Sequence, residues 1–107
     1  MERRYPQPVR VGDLIGLPIL DYDDRTMARV LSVERLPTGN IQLIVAYRKW
    51  FRRRPVAVPI EVVAIAGRQI AALEMSWDDF DRAPTWSGDG TLALGPDAKI
   101  RIGLYKR

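Results

Sequence analysis

The sequence predicts a small all-β domain with one short helix. Three observations point there. Short apolar runs are broken every few residues by Gly, Pro and Asp; residues 99–104 set Ile100, Ile102 and Leu104 against Arg101 and Gly103 in strict alternation; and no β-α-β spacing occurs. A chain of 107 residues, 47% hydrophobic and 28% charged, is expected to fold as one domain.

Residues 1–8, with Pro6 and Pro8 among several charges, read as a flexible lead. The apolar run 14–20 reads as the first strand, closed by the acidic turn Asp21, Asp23 and Asp24. Residues 27–36 follow as a longer strand with neither face cleanly polar, the pattern of a curved strand. Pro37, Thr38, Gly39 and Asn40 make the clearest turn, since proline fixes φ and glycine adopts backbone conformations other residues resist. Residues 41–47 return as the hairpin partner, with Ile41, Leu43 and Val45 on one face. A basic connection spans 48–54, and 55–60 forms a short strand with Val56 and Val58 facing together. Residues 61–66 extend that strand or make one 3-10 turn; Gly67 and Arg68 reverse the chain into a strand over 69–74.

A short helix is expected over 76–83. Ser76 and Asp79 have the spacing of a capping box with a shortened acid, Trp77 and Phe80 share a face, and Pro84 ends the segment. Two last strands, 91–94 and 99–104, are expected to pair across Gly95, Pro96 and Asp97. Five to seven such strands with one helix suggest a small barrel or roll.

With this order in place, the chain resembles the PRC-barrel domain, the module shared by the photosynthetic reaction centre H subunit and a ribosome-maturation factor. Leu14-Ile15-Gly16-Leu17-Pro18-Ile19 resembles its opening strand, and Ala28-Arg29-Val30-Leu31-Ser32-Val33 its second. Ala28 stands where many relatives carry glycine. Thr38-Gly39-Asn40-Ile41 resembles the entry to the third strand, and Val58-Pro59-Ile60-Glu61 the Val-Pro-x-Glu segment. Trp77 to Trp86 resembles the tail of stand-alone bacterial members. The resemblance implies a PRC-barrel-like domain over 9–86, a C-terminal extension over 87–107, a protein-interaction or adaptor role, and no transferable catalytic residues.

Composition narrows the chemistry. Cysteine and histidine are both absent, which removes the thiol nucleophile, the thiolate or imidazole metal ligand, and the commonest general base. Ser32, Ser76 and Ser87 therefore have no imidazole partner, and the eight glycines form no phosphate-binding loop. The acidic turn lacks the full calcium-loop pattern, and helix capping explains Asp78 and Asp79 better than metal binding or a catalytic pair with Asp81. No enzyme activity, metal, cofactor or small-molecule substrate is expected. No secretory or membrane-spanning pattern is seen, so a cytoplasmic location is the expectation.

The net charge of +4 comes from 17 basic and 13 acidic residues, unevenly placed. Arg48, Lys49, Arg52, Arg53 and Arg54 surround Trp50 and Phe51 in one seven-residue segment, the expected interaction surface. A hairpin loop would project these cations together, at least in part. An acidic protein surface is the expected partner, with RNA or an anionic membrane as alternatives and a solvated loop as the plain reading. Tyr22, Tyr47 and Trp86 are candidates for a groove or for the core. A homodimer is also expected, with 99–104 completing the fold in its own chain or in a second copy.

Overall fold

The structure is a computed structural model in which residues 6–49, 52–88 and 90–105 are described. Strands dominate: β1 (Gln7–Arg10), β2 (Pro18–Leu20), β3 (Thr26–Arg35), β4 (Ile41–Lys49), β5 (Arg52–Pro59), β6 (Val63–Ala66), β7 (Gln69–Ala72), β8 (Leu92–Ala93) and β9 (Lys99–Leu104). Two short helices, α1 (Val11–Leu14) and α2 (Trp77–Arg82), and a 3-10 turn at Ile60–Val62 complete it. The radius of gyration, 12.9 Å, is about that of a compact chain of this length.

Among the described residues the nine strands belong to one sheet, ordered β1-β9-β6-β7-β2-β3-β4-β5, with β8 added to β3 beside β2. Among the described residues no ladder joins β5 to β6, so hydrogen bonding leaves the sheet open. These two strands are nonetheless separated by only the three residues Ile60–Val62. Three residues span about 10 Å at most, so the six strands from β6 to β5 must curl sharply. Their inward side chains meet in one cluster, which includes Ile19, Met27, Val30, Val33, Leu43, Val45, Val56, Val58, Val63 and Ile70.

The curl explains why β3 shows no clean alternation. Val30 pairs with Val45 but Ser32 pairs with Ile44, so Leu31 is an extra residue. Such a bulge bends its strand and switches the inward set: Ala28 and Val30 are buried before it, Val33 after it, and Leu31 is left 52% exposed. At the free edge, β5 carries Pro55 and Pro59. Pro55 turns its carbonyl outward to accept from Trp86 N at 2.8 Å, and Pro59 has the same parity. Neither has an N–H, so this edge lacks two of the donors that another strand would pair with.

Several expectations are corrected. The first strand is not 14–20. Val11–Leu14 forms a helical turn, Gly16 takes φ 85°, and only Pro18–Leu20 is extended. Gln7 and Pro8 are not a loose lead, because β1 pairs with β9. The tail strands do not pair with each other. β8 joins β3, while β9 lies between β1 and β6 of the same chain. The turn over 37–40, the hairpin on either side of it and the Gly67 reversal stand as read, Gly39 and Gly67 both having positive φ.

The capping box of α2 also stands. Asp79 N donates to Ser76 Oγ at 3.3 Å, and Ser76 N to Asp79 Oδ2 at 2.8 Å. Phe80 is fully buried and stacks on Tyr47, with ring centroids 5.1 Å apart and planes 13° apart. Phe80→Ala should cost about 3–5 kcal/mol through lost burial and the cavity left behind. Urea unfolding should show the midpoint falling at unchanged slope.

Candidate functional site

The described residues of the basic segment are strand, not loop. The β4–β5 ladder runs through it in continuous register, pairing Tyr47 with Arg54, Arg48 with Arg53 and Lys49 with Arg52. Trp50 and Phe51 lie outside the described residues. Strand alternation then divides the cations, because residues one apart point to opposite faces. Arg48 and Arg53 share the convex face, whereas Arg54 lies on the face of Tyr47 and α2. The hairpin therefore projects the cations together only in part, Arg48 and Arg53 on one face and Arg54 on the other.

Arg54 has a structural task. Its Nη1 donates to Ala83 O at 2.6 Å, and its Nη2 to Phe80 O at 2.6 Å and Asp81 O at 3.1 Å. The last carbonyls of a helix have no partner within it, and a planar guanidinium suits them. The guanidinium carbon also lies 5.6 Å from the centroid of the Tyr47 ring. Tyr47 OH donates to Asp81 Oδ1 at 2.6 Å. Burial, aided by the Asp81 carboxylate, pushes the Tyr47 phenol well above its ordinary range. Tyr47 is thus core and Arg54 is a clamp on α2, so neither forms part of an open surface.

On the convex face a groove of about 460 Å3 opens between Arg29, Arg48 and Arg53, with Leu31 and Ala46 in its lining. Arg29 sits opposite Ala46 in the β3–β4 ladder, and Arg48 is two residues further along β4. Arg29 Nη1 donates to Gly16 O at 3.2 Å, which steadies one side. All three arginines are exposed, and none forms a salt bridge with a described residue. Arg48 and Arg53 stand directly opposite each other, an arrangement that costs a few tenths of a kcal/mol up to about 1 kcal/mol when like charges face across strands. Lys49 and Arg52 are the next register pair, and Arg52 alternates to the face of Arg54.

The rest of the convex face is covered by the chain itself. Trp86 is bonded at the β5 edge and Leu92 at the far edge of β3, on either side of β4. Between these edges Ile44 is 1% exposed although it lies outside the core cluster. Glu34, 4% exposed, accepts from Ser32 Oγ at 3.1 Å and Thr91 Oγ1 at 3.0 Å. The groove is the uncovered continuation of this face.

The acidic turn is structural. Asp21 Oδ1 accepts from the backbone N–H of Asp23 at 2.8 Å and of Arg25 at 2.9 Å, and Oδ2 from Trp77 Nε1 at 2.7 Å. Asp23 pairs with Arg25, and Asp78 with Arg82 one helical turn on. No group of metal-ligating side chains occurs among the described residues. Asp21, Asp23, Glu74 and Asp79 border a second depression of about 310 Å3 beside Tyr22, which is 81% exposed. Tyr22, Tyr47 and Trp86 therefore lie in three different settings: a surface depression, the core and the β5 edge. No helix among the described residues is long and apolar enough to cross a membrane.

Arg29 and Leu31 are the site residues that sequence reading missed. An isolated arginine inside an apolar strand is the only signal for the first, and the bulge that exposes the second has no local signature. In comparisons with known proteins, no family model, curated protein or solved structure matches the chain.

The acidic anchor generates a pH dependence. The Trp77 hydrogen bond, outweighing desolvation and helped by the Arg25 and Asp23 amides and the Arg25 charge, holds the Asp21 carboxyl below its ordinary value. Bonds from Ser76 do the same for Asp79. A lowered folded pKa gives stability that is present above the unfolded value of about 3.9 and lost as pH falls through the folded value. Asp21→Asn should lower stability at pH 7 and flatten the acid limb below about pH 4. Denaturation midpoints measured from pH 7 to pH 2 check this, and an unchanged acid limb would count against the anchor.

Proposed function

We propose that the protein is a non-catalytic interaction or adaptor module on a PRC-barrel-like fold, and that it docks an acidic protein surface through the basic end of the β4–β5 hairpin. Support for the architecture comes from the curled sheet, the three-residue link from β5 to β6, and the helix that follows β7 and packs on the core through Phe80. The observation that carries the function is the like-charge opposition of Arg48 and Arg53, neither of which has a salt bridge to a described residue. A free hairpin gains nothing from facing cations across a ladder, and an anionic partner would relieve the repulsion. Local choices that work against stability are expected mainly where binding needs them. The convex-face surface consists of Arg48 and Arg53, extended by Arg29, while Arg52 alternates to the face of Arg54, which is occupied with α2.

A paired charge reversal, Arg52→Glu with Arg53→Glu, should reduce recovery of native partners from nuclease- and detergent-treated lysate by about tenfold or more. Trp50→Ala should weaken recovery as strongly if the aromatic residue is an anchor. Loss of binding on nuclease treatment, with a steep fall in rising salt, would show RNA instead. Dependence on anionic vesicles would show a membrane surface. Equal recovery of the same partners by the reversed protein would overturn the proposed function.

A further inference from the structure

We infer that the convex-face groove between Arg29, Arg48 and Arg53 receives an extended acidic segment of a partner protein, with one aliphatic side chain seated against Leu31 and Ala46 between flanking carboxylates. This rests on the binding role proposed above and gives it a ligand chemistry. Four features of the groove argue for it.

The first is the charge. Three guanidinium groups border one groove, and no described carboxylate neutralises Arg48 or Arg53. Carboxylates meet guanidinium groups through short, charge-assisted and often bidentate bonds.

The second is the floor. Leu31 is a large aliphatic side chain, 52% exposed, turned out by the β3 bulge into a basic surrounding. A site for inorganic anions or a nucleic-acid backbone has no use for such a side chain, whereas a peptide with an apolar anchor does. The third is the shape. No aromatic side chain lines the groove among the described residues, so base stacking has no platform there. A flat lipid surface does not reach into a recess of about 460 Å3.

The fourth is the chain's own use of the same face. Trp86 at the β5 edge, Thr91 at Glu34 and Leu92 at the β3 edge lie over the neighbouring half of this face, where Ile44 is 1% exposed. A segment of another chain laid beside these residues would cover the open half.

The test is a titration of the full chain, labelled with nitrogen-15, with a synthetic blocked Asp-Glu-Leu-Asp-Glu peptide at low ionic strength. Amide shifts should concentrate at Arg29, Leu31, Ala46, Arg48 and Arg53. Replacing the peptide's leucine with glycine should weaken binding by about tenfold, the value of partly burying one such side chain. Leu31→Ser should weaken it to a similar degree while leaving the rest of the amide spectrum in place, since Leu31 packs outside the core. Arg48→Glu should abolish it.

Groove amides that stay still at millimolar peptide, or equal affinity for the leucine and glycine peptides, would overturn the inference. So would larger shifts at these amides with an oligouridine of equal charge or with phosphatidylserine vesicles. Loss of partner recovery on the Arg52 and Arg53 reversal, with no groove shifts, would end this inference and leave the proposed function standing. Groove shifts with leucine dependence, but partner recovery unchanged by that reversal, would uphold the groove and end the hairpin surface.

Discussion

The register of the β4–β5 hairpin governs most of what this protein presents to its surroundings. Once Tyr47 is opposite Arg54, every residue towards the turn is committed to a face. A slip of one residue would send Arg54 outward and bring Arg53 against the helix. The core enforces the register from the other end, because Leu43, Val45, Val56 and Val58 must all point inward together. A basic run that looks continuous in sequence is thereby sorted into a clamp, Arg54, and a convex-face pair, Arg48 and Arg53. The core and the binding face are two consequences of one ladder.

The helix α2 depends on the same arrangement. A six-residue helix has little stability alone, and here it is fixed at each end and along one side. Its N-terminus carries a reciprocal capping box and, through Trp77, a hydrogen bond to Asp21 in the β2–β3 turn. Its C-terminal carbonyls accept from Arg54. Its side is held by Phe80 stacked on Tyr47. The chain leaving α2 is next bonded at the β5 edge through Trp86 and then at β3 through Thr91 and Leu92.

Local signals were readable in the sequence and non-local ones were not. Alternation in 41–47 and 99–104, the turn at Gly39 and the Ser76–Asp79 box each depend on neighbours a few residues apart, and the elements formed where their residues indicated. The β3 bulge escaped because an extra residue leaves no composition mark; it shows only when Val30 and Ser32 are matched to β4. The partners of β8 and β9 escaped for the reason that pairing across 39 or more residues is decided by global packing. The site followed the same division. Its cations were evident, but their separation needed the ladder, and Arg29 joined them only through its place opposite Ala46.

Comparing the unfolding of Arg53→Glu and Arg54→Glu tests the central claim most directly, because adjacent residues of equal charge are assigned opposite roles. Arg53→Glu should be neutral or stabilising by about 0.2–1 kcal/mol, since a like-charge opposition to Arg48 becomes an attractive one. Arg54→Glu should destabilise by about 2–3 kcal/mol, since the α2 carbonyls lose their charged donor and face a carboxylate. Equal effects of the two substitutions in urea unfolding, or a larger loss at Arg53, would contradict the account.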